Sequence, residues 1–360
     1  MGRKHRGLML GVGGMAATWL TKVWAKQTER MEIAALVDVS LSTLDMAGDT
    51  LGIPYERRFT SAAEAFAQVE ADFCCIVTPP RFHREAVELA CARGMAILSE
   101  KPIADSWEDC CAVAAAVRQA GVKMMVTQNY RYTPRILTLK RALADLGPVN
   151  YAVCRYASDY REPLSWGARF RHEMQHSLLV EASIHHFDQL RNLCATDCAT
   201  ITGYEWHPGQ ARGGNEHFAG SASFAGAPCG LFLMQMRGGS FASYEGNNLA
   251  TGRTNSWHGE YYRLECEGGV ASLDADDVVR VTTRGPGGAI SVRELAPERP
   301  AQIGHHAIAA QFLDWLDGGP APATTLADNL QSNAMLFAAL TAAEQHTIVD
   351  VQQLVAQAGG

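Results

Sequence analysis

Short apolar runs alternate with longer helical periods over the first third of the chain, and this alternation constrains the fold more than any other feature. A run that is apolar at every position is typical of a strand buried on both faces. Strands separated by helices predict a parallel sheet. The runs are residues 8–10, 33–37, 73–77, 96–98 and 124–126, and helices are expected at about 15–27, 41–51, 84–93 and 107–119. We predict a doubly wound parallel sheet over residues 1–128.

The pattern changes after residue 129. Strands now follow one another through glycine-rich turns such as residues 225–228 and 284–287, which favours antiparallel pairing. A helix is expected at 134–146, with strands near 151–156, 200–206, 261–266 and 278–283 and more within 221–236. The sequence predicts a second, α+β domain with a large, mainly antiparallel open sheet over residues 129–360. Helices at 305–316 and 325–344 are expected to pack back between the domains.

A glycine-rich turn follows the first apolar run. Gly11, Gly13 and Ala16 give the pattern G-x-G-x-x-A. The first glycine permits a tight turn, the second lets the backbone approach a pyrophosphate, and the small third residue keeps helix close to strand. Taken alone, the pattern also fits an ordinary loop between strand and helix. With the predicted sheet around it, the turn indicates a Rossmann dinucleotide-binding domain.

Asp38 closes the second apolar run, where a carboxylate can accept hydrogen bonds from both ribose hydroxyls of an adenosine. Its charge would repel a 2′-phosphate, and residues 39–42 contain no arginine or lysine to hold one. We therefore expect NAD as the cofactor rather than NADP. Asp38 could equally cap the helix expected from residue 41, and the two roles are compatible.

Lys101 follows the run 96–98 within Glu100-Lys101-Pro102. Since the carboxyl ends of parallel strands meet at one edge, its ammonium can reach a hydroxyl bound beside a nicotinamide ring. This placement favours redox chemistry on an alcohol. Thr78 and Pro79 follow the run 73–77 and are expected to stiffen the rim of the same crevice, and His83 opens the next helix.

Composition argues against several other classes of protein. The formal net charge of −7 gives no basic surface for nucleic acid. No apolar run approaches the ~20 residues that span a bilayer. The amino terminus imitates a secretory signal, but its apolar stretch carries the turn glycines, so we interpret it as the first strand and helix. With 360 residues and 47% hydrophobic content, the chain is long enough for two domains.

The ten cysteines do not indicate a disulfide framework. The adjacent pairs Cys74-Cys75 and Cys110-Cys111 lie in apolar stretches, where thiols pack as small hydrophobes. Cys194 and Cys198 stand four apart without a second matching pair, so a zinc site is not favoured and no metal is expected. We expect reduced thiols and a cytoplasmic protein.

Taken together, the motifs resemble the Gfo/Idh/MocA family of NAD(P)-dependent oxidoreductases, named after glucose-fructose oxidoreductase, inositol dehydrogenase and a rhizopine-catabolism protein. The similarity extends over essentially the whole chain. The motifs that carry it, in order, are the glycine turn, the Thr-Pro run with His83, Glu100-Lys101-Pro102, Asn129-Tyr130-Arg131 with Pro134, and Glu181-Ala182-Ser183-Ile184-His185 with Asp188.

The resemblance implies a Rossmann domain followed by a domain whose open sheet builds homodimers or homotetramers. It implies that Lys101 contacts the substrate hydroxyl and the nicotinamide ribose, and that His185 is the catalytic histidine. Glu181 stands where the family commonly has aspartate, and Ser183 where it commonly has glycine. The cofactor-binding residues would be Gly11, Val12, Gly13, Gly14, Met15, Asp38, Thr78, Pro79, His83, Glu100, Lys101 and Asn129.

Oxidation of a secondary alcohol needs a base for the hydroxyl proton, and histidine titrates near neutrality. Glu181 lies four residues before His185, which on a helix puts both on one face and lets the carboxylate orient the imidazole. Lys101 would polarise the hydroxyl. His186 would point about 100° away from His185. Read without the resemblance, His185 could instead be a buried ring on an apolar stripe.

The expected substrate is a cyclic polyol, a sugar or a sugar derivative. Its ring would need an aromatic stacking face and several hydrogen-bonding partners. Besides Lys101 and His185, the candidates are Tyr130, Arg131, Trp166, Arg169, His172 and Trp257. Two alternatives to a net dehydrogenase remain open. One is a lyase or glycosidase that oxidises its substrate transiently without releasing NADH, and the other is a non-catalytic dinucleotide sensor.

Overall fold

The computed structural model describes residues 3–162, 164–167, 169–208, 224–250 and 259–359. These residues form two compact units. The first unit contains the described residues up to Asn129, together with Gln302–Leu330 and those from Gln357 onward. The second unit contains the described residues of Tyr130–Ala301 and Gln331–Ala356.

The first unit is built on a six-stranded sheet in which every paired neighbour is parallel. Its strands are β1 His5–Leu10, β2 Met31–Val37, β3 Arg58–Phe59, β4 Phe73–Ile76, β5 Ala96–Ser99 and β6 Met124–Val126. The order is β3-β2-β1-β4-β5-β6, so the winding reverses between β1 and β4. A crevice forms outside the carboxyl ends of the strands at such a reversal, and ligands of open α/β sheets bind there.

Helices separate these strands as the periodicity predicts, except that the helix at Ala62–Gln68 was not expected. They are α1 Met15–Thr18, α2 Leu41–Leu51, α3 Ala62–Gln68, α4 His83–Ala92 and α5 Trp107–Ala120. The helix expected over residues 15–27 is not continuous, because α1 passes into a π-helical segment, Trp19–Val23, and a 3₁₀ turn, Trp24–Lys26. Both tryptophans are buried, and their rings pack 5.3 Å apart.

The second unit is built on a mixed sheet. Its strands are β7 Val149–Ala157, β8 Cys198–Trp206, β9 Cys229–Met236, β10 Phe241–Asn247, β11 Glu260–Cys266, β12 Gly269–Leu273, β13 Val279–Arg284, β14 Ile290–Glu294 and β15 Val349–Asp350. Among the described residues the order is β14-β13-β12-β11-β7-β10-β9-β8-β15. All neighbours pair antiparallel except β7 and β10, which confirms a mainly antiparallel open sheet.

The remaining helices are α6 Pro134–Leu146, α7 Phe170–Glu173, α8 Ile184–Cys194, α9 Gly304–Leu316, α10 Leu326–Gln345 and α11 Val351–Gln357. A π-helical segment, Leu178–Ser183, leads directly into α8. In the first unit, Phe312 of α9 packs 5.3 Å from Phe73 of β4. No helix in the described part of the chain is long and apolar enough to cross a membrane. All ten cysteines are free thiols.

Candidate active site

The glycine turn connects β1 to α1 where the sheet order reverses. Gly11 has φ +84°, and a Cβ at this position would lie 2.5 Å from the carbonyl oxygen of Val77, just beyond β4. Gly14 also has positive φ, +52°, but open space surrounds it. Ala16 is fully buried, so a larger residue would separate helix from strand. This bare, closely packed backbone fits the approach of a pyrophosphate.

Asp38 follows β2 and binds the glycine turn. The Val12 amide donates to its Oδ2 at 2.9 Å, and the Ser40 amide donates to its Oδ1 at 2.9 Å. The cap of α2 is Ser40, whose hydroxyl accepts from the Thr43 amide. An ionised carboxylate can accept about four hydrogen bonds, so lone pairs remain that fit two ribose hydroxyls.

The rim after β4 is tied together by a buried histidine. His83 is fully buried; its Nε2 lies 2.8 Å from the Thr78 carbonyl oxygen and its Nδ1 lies 3.0 Å from that of Pro102. Burial lowers the pKa of His83. Both ring nitrogens of His83 therefore contact backbone carbonyls of the rim. The Thr78 hydroxyl is buried without a hydrogen-bond partner among the described residues.

Glu100 follows β5 and turns its carboxylate into the first unit. Its Oε1 accepts from Trp19 Nε1 at 2.8 Å and lies 3.4 Å from His305 Nε2, and its Oε2 accepts from the Thr127 hydroxyl at 2.6 Å. Burial acts to raise the pKa of Glu100, but these partners outweigh it and hold the pKa at about 2. Sequence reasoning missed Trp19, Thr127 and His305 as partners of Glu100, because all three are distant from it in the chain.

Lys101 is fixed through its backbone. Its amide lies 3.3 Å from both Glu100 Oε2 and the Thr127 hydroxyl, and the Lys101–Pro102 peptide is cis. Of the other cofactor candidates, Met15 at the start of α1 and Pro79 are exposed, and Asn129 is half-buried at the start of a 3₁₀ turn. Lys101 thus stands at the same edge of the sheet as the glycine turn.

The catalytic candidates of the second unit lie on and beside α8. Glu181 belongs to the π-helical segment and His185 to the first turn of α8, and both are buried. Arg171 Nε donates to Glu181 Oε2 at 2.8 Å, and Arg171 Nη1 donates to the Trp166 carbonyl at 2.9 Å. Arg171 is thus a charged partner of Glu181 that sequence reasoning missed.

Three tyrosines pack around His185 and His186. The ring of Tyr130 stacks on His185, with centroids 4.2 Å apart and planes 3° from parallel. Burial raises the pKa of Tyr130. His186 meets the Tyr130 ring edge-on at 6.4 Å but also packs against Tyr156 and Tyr244, and its Nδ1 lies 3.1 Å from the Tyr244 hydroxyl. Adjacent histidines therefore face different surroundings.

Arg131, a residue expected to contact substrate, forms a buried pair with Asp188. Its Nε lies 2.7 Å from Oδ2 and its Nη2 lies 2.5 Å from Oδ1. The Ser332 hydroxyl also donates to Asp188, at 2.8 Å. Two parallel bonds to one carboxylate fix both groups, so Arg131 has a structural role. The spacing of the motif could not distinguish this role from substrate binding.

Two of the other substrate candidates, Trp166 and His172, pack against the same ring, that of Phe224. Trp166 is fully buried and stacks on Tyr160 with centroids 5.2 Å apart, and His172 is buried against Phe224. Arg169 is exposed and pairs with Glu173. Trp257 lies outside the described residues. No group of three or more metal-ligating side chains occurs within the described ranges.

Comparison with known proteins assigns the chain to a family. Residues 5–128 match the Gfo/Idh/MocA model, described as an oxidoreductase family with an NAD-binding Rossmann fold. The uncharacterized protein y4oX of Sinorhizobium fredii is 36% identical over 98% of this chain and 97% of its own length. A D-apiose dehydrogenase of Rhizobium rhizogenes is 25% identical over 96% of this chain and 97% of its own length.

A solved structure supports the fold. An oxidoreductase from Agrobacterium radiobacter, in complex with NAD+, L-tartaric acid and magnesium, superposes with a TM-score of 0.82 at 24% identity, covering 98% of this chain and all of that one. The chain described here belongs to the Gfo/Idh/MocA family, and it is an NAD(P)-dependent oxidoreductase acting on a CH–OH group.

Proposed function

We propose that this protein is an NAD-dependent dehydrogenase that oxidises a secondary hydroxyl of a cyclic polyol, a sugar or a sugar derivative. The observation that carries the proposal is the shared edge of the first unit's sheet, where the glycine turn follows β1 and Lys101 follows β5. A dinucleotide-binding turn and a lysine whose backbone is held at the same crevice suit redox chemistry on an alcohol. The full-length similarity to a D-apiose dehydrogenase favours a carbohydrate substrate.

NAD is the proposed cofactor rather than NADP. The Asp38 carboxylate sits where the adenosine ribose would lie, and residues 39–42 bring no cation to balance a 2′-phosphate. When bound, the cofactor supplies the acceptor for the hydride that leaves the alcohol carbon. The proposed compartment is the cytoplasm, where the ten cysteines would stay reduced.

The proposed proton acceptor is His185. Its stack with Tyr130 at 4.2 Å holds the plane of the imidazole, which a base needs in order to meet a hydroxyl in one direction. The Lys101 ammonium stabilises the negative charge that develops on the oxygen as the proton leaves. Glu181, held by Arg171 at 2.8 Å, is the proposed carboxylate that orients His185 and stabilises the protonated form that results. Tyr130 and His172 are retained as candidate substrate contacts.

We further propose that the outer face of the second unit's sheet forms a homodimer or homotetramer. The burial pattern of β9 alternates, and Leu231 and Leu233 are 47% and 57% exposed. Tyr204 of β8 lies opposite Leu231 of β9, and Phe241 of β10 lies opposite Tyr151 of β7. All four side chains are exposed. An apolar face of this kind marks an association surface. Light scattering should give a molar mass that is a multiple of the 39.0 kDa chain mass. Leu233→Lys should lower the molar mass of the assembly.

The function is tested by incubating the protein with NAD or NADP and pooled polyols, monosaccharides and glycosides. NADH appearing with a product two hydrogens lighter than its substrate supports the proposal. Cleavage without NADH would overturn it in favour of transient oxidation, and cofactor binding with no chemistry would indicate a sensor.

The role of Lys101 is tested in the same assay. Lys101→Ala should lower turnover by several orders of magnitude and leave NAD affinity within about tenfold, since its charge acts mainly in the transition state. Lys22→Ala removes an exposed lysine of the same unit and is the matched control. Near wild-type turnover in Lys101→Ala would contradict the assignment.

A further inference from the structure

The carboxylate of Glu100 sits at the centre of a network within the first unit. One oxygen receives the indole N–H of Trp19 and faces His305, and the other receives the hydroxyl of Thr127 and the amide of Lys101. The side chain of Glu100 is only 12% exposed. A buried carboxylate without such partners would be strongly destabilising, so the network keeps Glu100 charged and in one place.

This fixed carboxylate determines where Lys101 stands. The strand β5 ends at Ser99, so the sheet ladder no longer holds the chain at residue 101. The Lys101 amide is bound at 3.3 Å by both Glu100 Oε2 and Thr127 Oγ1, and these two acceptors are themselves joined at 2.6 Å. Movement of the Glu100 carboxylate would therefore move the backbone of the lysine.

The same network reaches the helix of the glycine turn. Trp19 is the first residue after α1, at the point where α-helix becomes π-helix. The wider π turn is often a functional feature inside a helix. Here the Trp19 ring lies against His305, with centroids 5.2 Å apart and planes at 79°, while its N–H reaches Glu100.

We propose that His305 and Trp19 are positioning residues that hold Glu100, and through it Lys101, in register with the dinucleotide turn. His305 stands in the first turn of α9, some two hundred residues along the chain from the lysine it positions. It places an imidazole nitrogen 3.4 Å from Glu100 Oε1, and Trp19 supplies the link to α1. The inference rests on the proposed function in one respect only, namely that Lys101 acts on the hydroxyl of a substrate.

The test compares His305→Asn with His306→Asn, since His306 is the next residue of α9 and, unlike His305, does not pair with Glu100 in the described part of the chain. Competitive acetylation of the protein without cofactor or substrate, read by mass spectrometry, measures the reactivity of each lysine. His305→Asn should change the labelling rate of Lys101 at least threefold and leave Lys22 unchanged, while His306→Asn should change neither. In the oxidation assay, His305→Asn should lower kcat at least tenfold with KM and NAD affinity within threefold.

Trp19→Phe keeps an aromatic ring and removes only the N–H donor, so it tests the link without emptying the core. It should shift Lys101 labelling in the same direction as His305→Asn. Unchanged Lys101 labelling in both folded variants would overturn the inference, whether or not an alcohol is oxidised. Altered labelling together with no oxidation of any pooled alcohol would uphold the positioning role and refute the proposed function.

Discussion

Replacing Gly11 by alanine should destabilise the first unit more than any other single-methyl addition to the glycine turn. At φ +84° an L-residue pays about 1–2 kcal/mol of backbone strain. The new Cβ would lie 2.5 Å from the Val77 carbonyl oxygen, and relieving such a contact by moving main chain costs roughly 1–3 kcal/mol. The sum is about 2–5 kcal/mol.

Gly14→Ala is the matched control, because Gly14 has φ +52° but nothing within 4 Å of the position of a Cβ. It should lose only the strain of about 1–2 kcal/mol. Each kcal/mol lowers the Tm of a domain of this size by roughly 2–4 °C. Calorimetry without cofactor should therefore find Gly11→Ala about 2–12 °C below Gly14→Ala. Equal Tm values would refute the inferred close approach of the turn to β4.

Three further outcomes follow from the carboxylates. Asp38→Ala should weaken NAD binding at least about tenfold and NADP binding much less, and equal losses in titration calorimetry would remove the ribose-hydroxyl assignment. Arg131→Met should cost about 3–5 kcal/mol in urea unfolding, because Asp188 stays buried without its bidentate partner, and Arg131→Met with Asp188→Leu should recover much of that loss. Because the pKa of Glu100 is lowered to about 2, its ionised carboxylate contributes up to about 3 kcal/mol to the free energy of unfolding above pH ~4.3. This contribution is lost as the pH falls towards 2. In an acid-unfolding curve, Glu100→Gln should reduce the loss of stability between these two pH values.

The sequence predicted elements whose signal is local. The apolar runs at 73–77 and 96–98 became β4 and β5, because strands covered on both faces exclude polar residues. It missed β3, which has two residues and therefore no period. It also missed the break after α1, since α- and π-helical turns differ too little in spacing to show in so short a segment.

The residues of the candidate site also fall into those that local sequence reveals and those that it does not. The glycine turn and Asp38 were recognisable because each is specified by its neighbours in the chain. His305, Thr127 and Arg171 were not, because each becomes a partner of a carboxylate only when distant segments fold together. Arg131 shows the converse, since a motif residue expected at the substrate is paired within the protein.

Asp38 and Glu100 share a structural task that the motif interpretation leaves out. Each follows a parallel strand, and each binds backbone amides of the loops at that edge: Val12 and Ser40 for Asp38, Lys101 for Glu100. Backbone N–H groups beyond a strand end have lost their ladder partners and need acceptors, which an ionised carboxylate supplies without a donor of its own. The acidic residues at the crevice therefore shape the loops that receive a cofactor. A loss of NAD binding in Asp38→Ala thus combines a missing ligand contact with a displaced loop.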